Sequence, residues 1–95
     1  MDNNSLFLAA YILRGLRLVG QSSLAPMYDG YGLDRNSATD QKFFCSVLAG
    51  LHTCGYITGP NENVDENGVA YVSLTEQGEA KADSVEEIYA RHNTV

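Results

Sequence analysis

Four side chains of this 95-residue chain, Cys45, His52, Cys54 and His92, carry donor atoms suited to zinc. Their spacing is not suited to it. There is no Cys-x-x-Cys pair, and on one helix residues 45 and 54 are separated by about 900° of rotation, which puts them on opposite faces. The simpler expectation is a small buried Cys54, a partly exposed Cys45 and a surface His52. The alternation Asn63-x-Asp65-x-Asn67-Gly68 matches the opening of a calcium loop. The closing position, where such a loop places a bidentate Glu, holds Leu74, so a solvated hairpin is expected instead. Gly30 and Gly32 lack the strand and the Gly or Lys-Ser/Thr that make a phosphate loop. Ser, His and Asp all occur, but no spacing sets a nucleophile beside a base. The expectation is a chain with no catalytic residue, no metal and no cofactor, which works by binding.

Charge says what it would bind. Residues 1–60 hold four acids and four bases, whereas residues 61–95 hold eight acids and only Lys81 and Arg91, so the net charge of −6 belongs to the last third. Such a surface repels a polyanion and attracts a basic partner. The candidate protein-binding residues are Glu62, Asp65, Glu66, Glu76, Glu79, Glu86 and Glu87. Tyr28 and Tyr31, in a glycine-punctuated segment, form a candidate aromatic anchor. The competing expectation is that one or both cover the core.

The elements that must hold these residues can be traced from pattern. The chain is 44% hydrophobic and of a length that makes one domain, residues 1–95. Its longest apolar run, Leu6–Leu13, is far short of the roughly 20 residues that span a bilayer. Asp2 stands where a signal peptide carries bases, and a cytoplasmic, membrane-free protein is expected. Residues 5–19 predict a helix whose apolar side chains cover roughly 240° of its circumference. It is either central or partly turned to a second chain, with Leu6, Leu13 and Leu16, together with the last helix, as a candidate homodimer face. Its polar strip holds Arg14 and Arg17, with Glu86 or Glu87 as expected ion-pair partners. A short helix is expected over Leu24–Tyr28, broken by Asp29-Gly30-Tyr31-Gly32. Ser37 and Asp40 fit the start of a helix over 37–54. Its apolar face is Phe43, Phe44, Val47, Leu48, Leu51 and Cys54, and Ala38, Lys42, Cys45, Ser46, Ala49 and Thr53 lie opposite. Tyr56–Thr58 and Val69–Leu74 predict two strands, with Asn67-Gly68 at the reversal. Thr75 caps a last helix to about Arg91, with Ala82, Val85, Ile88 and Tyr89 on its apolar side.

The fold class expected is α+β and mostly helical. The order of elements resembles the winged helix: three N-terminal helices, a two-stranded hairpin wing and a C-terminal helix. The segment Phe43–Asp83 carries the resemblance, above all Leu74-Thr75-Glu76-Gln77-Gly78-Glu79-Ala80. That stretch is similar to the LTxxGxxxA/L signature of PadR-like and MarR-like bacterial regulators. The resemblance implies that the Thr begins the helix after the wing and that the Gly lets it pack closely. It also implies a third helix that enters the DNA major groove and a wing that touches phosphate, with Arg35, Gln41, Lys42 and Ser46 as DNA-binding residues. The wing itself, Gly59–Gly68, has three acids and no base, the wrong sign for releasing phosphate counterions. Two functions therefore compete. One is a protein-binding module: a dimer, an adaptor, or an inhibitor of a nucleic-acid-handling machine of the phage or mobile-element kind that presents acids as a DNA backbone does. The other is a dimeric DNA-binding regulator of duplex DNA.

Overall fold

The structure, a computed structural model, describes residues 3–93, with side chains as far as residue 87. The roles expected of the Ile88, Tyr89 and His92 side chains fall outside the described residues. Helix α1 spans Asn3–Val19, followed by strand β1 (Gln21–Ser22), helix α2 (Leu24–Tyr31) and helix α3 (Ala38–Thr53). Strands β2 (Ile57–Thr58) and β3 (Val72–Leu74) and helix α4 (Glu76–Asn93) complete the fold. It is α+β and mostly helical, as expected. Among the described residues no helix is long and apolar enough to cross a membrane.

The wide apolar surface of α1 is explained by its central position. It packs against α4, α3, α2, β1 and β3, and Leu8, Ala9, Ile12, Leu13 and Leu16 are buried. Leu13 and Leu16, expected on a dimer face, therefore belong to the monomer's own core, at 1% and 2% exposure. Leu6, Leu18 and Val19 remain exposed. The polar strip turns to α4, where Arg14 Nε meets Glu86 at 2.9 Å and Arg17 pairs with Asp83. Both pairs are largely solvent-accessible, so each contributes about 0–1 kcal/mol and mainly fixes the register of the two helices.

Helix α2 runs on through Gly30, which was expected to break it, and stops at Gly32 in the left-handed region. Gly30 is tolerated because the Tyr11 hydroxyl fills the space where a side chain would stand. Helix α3 begins as its sequence predicts, with Ser37 Oγ accepting from the Asp40 amide at 3.2 Å. It buries Phe44, Val47, Leu48 and Leu51. Cys54, expected on that face, is exposed, because it is the C-cap, where the helix has stopped setting side-chain direction.

The sheet has three strands where two were expected. β3 is central, pairing antiparallel with β2 (Ile57↔Leu74, Thr58↔Ser73) and with β1 (Gln21↔Ser73, Ser22↔Val72). A two-residue strand is too short to show alternation, which is why β1 leaves no trace in the pattern. Residues 59–71 form a looped hairpin with one isolated bridge, Val64↔Ala70. Its tip is a turn closed by the Gly68 amide on the Asp65 carbonyl at 3.0 Å. Gly68 has a φ of 81°, which glycine adopts without a Cβ clash.

Thr75 and Gly78 join α4 to the rest. Thr75 Oγ1 accepts from the Gly78 amide at 3.0 Å and donates to the Gly55 carbonyl. The Thr75 amide donates to the Tyr56 carbonyl at 3.0 Å. One hydroxyl thus caps α4 and ties it to the turn after α3. Thr75→Val keeps the shape and removes both hydroxyl bonds. The expected loss is about 1–2 kcal/mol, read from urea unfolding. A loss within error of zero would show the cap to be dispensable.

Candidate binding surface

The seven acids singled out above do not form one open surface. Asp65 is a turn residue: its Oδ1 accepts from the Asn67 and Val69 amides, each at 2.9 Å. Glu86 is held by Arg14. Glu62 Oε1 accepts from the Gly59 amide and bonds His52 Nε2 at 3.0 Å. These three acids serve the fold first. Glu66 at the hairpin tip and Glu76 and Glu79 in the first turns of α4 are exposed, and their carboxylates have no ion-pair or hydrogen-bond partner among the described residues. Glu76 and Glu79 also favour the positive end of the α4 dipole. Glu87 is exposed farther along the same helix.

The cations are distributed differently. Arg14, Arg17 and Arg35 each meet a carboxylate, Arg35 Nε reaching Asp29 at 3.3 Å. Lys81 lies 5.9 Å from the centre of the Tyr56 ring. Of the residues expected to read DNA, Arg35 is thus engaged, and the Gln41 side chain donates to the Arg35 carbonyl. Lys42 and Ser46 stay open on the outer face of α3. The whole of that face, Ala38, Lys42, Cys45, Ser46, Ala49 and Thr53, is exposed, as its pattern predicts.

Tyr28 is not an anchor for a partner. It is 7% exposed and stacks on Phe44, with ring centres 4.3 Å apart. Burial pushes its phenol pKa up, with Cys45 and then Asp40 adding to the rise. A tyrosine beside glycines is as apolar as one in a helix, and here the helix runs on and turns it inward. Tyr31 is half-buried against Tyr11, with ring centres 5.2 Å apart and tilted by 59°.

The structure also brings together residues that the sequence keeps apart. A cleft of about 450 Å³ separates the outer face of α3 from the Gly59–Glu62 loop. Leu24, Leu48, Ala49 and Pro60 supply apolar walls, and His52 and Glu62 meet at its edge. Nothing in their ten-residue spacing signals the meeting, because it depends on how the loop folds back over α3. Cys45 lines the same cleft. Among the described residues, no three His, Cys, Asp or Glu side chains are grouped as a metal site.

The Glu62 carboxyl is held below the usual carboxylate range, first by the Gly59 amide and then by His52. A carboxyl that ionises more readily when folded adds stability above its unfolded pKa and loses it as pH falls through the lower folded value. The expected result is a pH titration of the Gly59 amide resonance with a midpoint below that of an ordinary glutamate. His52→Ala should raise the midpoint part of the way, and Glu62→Gln should abolish the titration. A midpoint at the ordinary glutamate value would show the Gly59 and His52 bonds to be absent in solution. No protein-family model and no curated protein sequence matches this chain.

Proposed function

We propose that the chain is a non-catalytic binding module, built on a winged-helix-like frame, whose partner is a protein with a basic surface. One observation carries this reading. Arg14, Arg17 and Arg35 are each paired with a carboxylate, while Glu66, Glu76 and Glu79 stand exposed and unpaired. The charge still open to a partner is therefore predominantly negative. The frame is supported by the order of elements and by Thr75 and Gly78, which join α4 to the turn after α3 as the signature implies. The hairpin departs from the expected pattern by its third strand. Mimicry of a DNA backbone has less support than a simple acidic contact, since Glu62, Asp65 and Glu86 are engaged within the fold. Self-association through α1 would have to use Leu6, Leu18 and Val19. The exposed free thiols of Cys45 and Cys54 support a reducing, cytoplasmic setting.

The test is a pair of titrations followed by amide NMR at low salt. A short Arg/Gly peptide should shift the resonances of Glu76, Glu79 and Glu66, and duplex DNA should not. The competing reading, a DNA-binding regulator, draws on the uncovered outer face of α3 with Lys42 and Ser46. It predicts the opposite pattern: shifts along α3 with duplex DNA, lost on Lys42→Glu.

A further inference from the structure

We propose that the cleft between α3 and the Gly59–Glu62 loop receives a single arginine side chain from the partner protein. The inference rests on the reading of that partner as basic. It locates one specific contact apart from the acids of α4.

The cleft has the form that an arginine needs. At about 450 Å³ it falls within the size range of ligand clefts. Its walls, Leu24, Leu48, Ala49 and Pro60, are apolar and suit the methylene stem of a long cation. Its charged end is acidic: no Lys or Arg lines it, and Glu62 does. The carboxylate is already fixed, because Oε1 takes both the Gly59 amide and His52 Nε2. Its other oxygen, Oε2, accepts no bond among the described residues, and an oriented carboxylate with a free oxygen is an unfilled acceptor. Thr53 and Asn61 line the same space, and their side chains make no hydrogen bond among the described residues. A guanidinium carries five donors in a planar fork and can meet several acceptors at once, whereas an ammonium acts as a compact point charge. Charge and the number of acceptors thus select arginine, and the apolar walls admit its stem.

The experiment titrates the full chain with blocked tripeptides Ala-Arg-Ala, Ala-Lys-Ala and Ala-norleucine-Ala, read by amide shifts of Leu24, Ala49, His52 and Gly59. The arginine peptide should bind most tightly and the norleucine peptide about tenfold more weakly, the value of a charge-assisted hydrogen bond. Glu62→Gln should cost a similar factor. Because that change also loosens the loop, Ala49→Trp serves as the second variant. Position 49 is exposed, so the indole fills the cleft and leaves the carboxylate and its two bonds in place. Binding should be lost. Equal shifts with arginine and norleucine, or unchanged binding in Ala49→Trp, would overturn the proposal. If the tripeptide moves only Glu76 and Glu79, the cleft assignment fails and the broader reading stands. If the cleft responds but the longer Arg/Gly peptide leaves Glu76 and Glu79 unmoved, the acidic face of α4 is the part that fails.

Discussion

Replacing Phe44 with alanine should remove about 3–5 kcal/mol of stability. Phe44 is fully buried, at 0% exposure, and its ring stacks on Tyr28. The change removes the burial energy of a phenyl group and leaves a cavity that α2 and α3 must both close over to fill. It also strips the stacking partner from a buried tyrosine, whose phenol pKa that burial raises. A domain of this length has a total stability of about 5–14 kcal/mol, so a large share of it is at stake. Urea unfolding should show a much lower midpoint with little change in slope. A loss below about 1 kcal/mol would mean that the site collapses without cost and that Phe44 is not the centre of the core.

The second large effect has a sign that helix propensity alone would get wrong. Gly78 lies in α4, where exchanging a glycine for alanine ordinarily stabilises by about 1 kcal/mol. Here the backbone carbonyl of Tyr56 occupies the place of the Cβ, with Leu74 Cδ2 a further 3.2 Å neighbour. The obstruction is main chain and cannot rotate away. Gly78→Ala must therefore push α4 off the turn after α3 and stretch the bonds of Thr75. The expected result is a loss of about 2–3 kcal/mol, seen as a Tm lower by roughly 10–20 °C. Unchanged or higher stability would show that α4 has room to shift, and the close approach would lose its explanation.

These two sites also show what the sequence reveals and what it hides. Helices were legible where period and caps agreed, as with Ser37 and Asp40 at the start of α3. Gly78 was legible because a motif singled it out. For Tyr28 the sequence left two readings open, an exposed anchor or a cover for the core, and tertiary packing, which also carries α2 past Gly30, decides for the second. Leu13 and Leu16 were legible as apolar, but an apolar stripe does not state whether its cover is the same chain or another. The acids were the least legible. Composition counts Glu62, Asp65 and Glu86 as surface charge, while each has a defined partner: an amide and an imidazole, two turn amides, and an arginine. A single acid gives no local sign of which use it will have. The cleft is a product of loop and helix together, so neither segment announces it.

The central place of β3 also imposes an order on the making of this protein. Gln21 and Ile57 both wait for partners that lie at residues 72–74, and α1 waits longer for the helix that covers its polar strip. On the ribosome, the chain up to residue 71 has two strand segments with nothing to pair and a central helix with part of its apolar circumference in water. Contacts so distant in sequence must overcome loop closure before they stabilise anything. Such intermediates expose the surface on which chains stick to one another. The vulnerable period is the interval before β3 and α4 are delivered, and their arrival is what covers the apolar surface of α1.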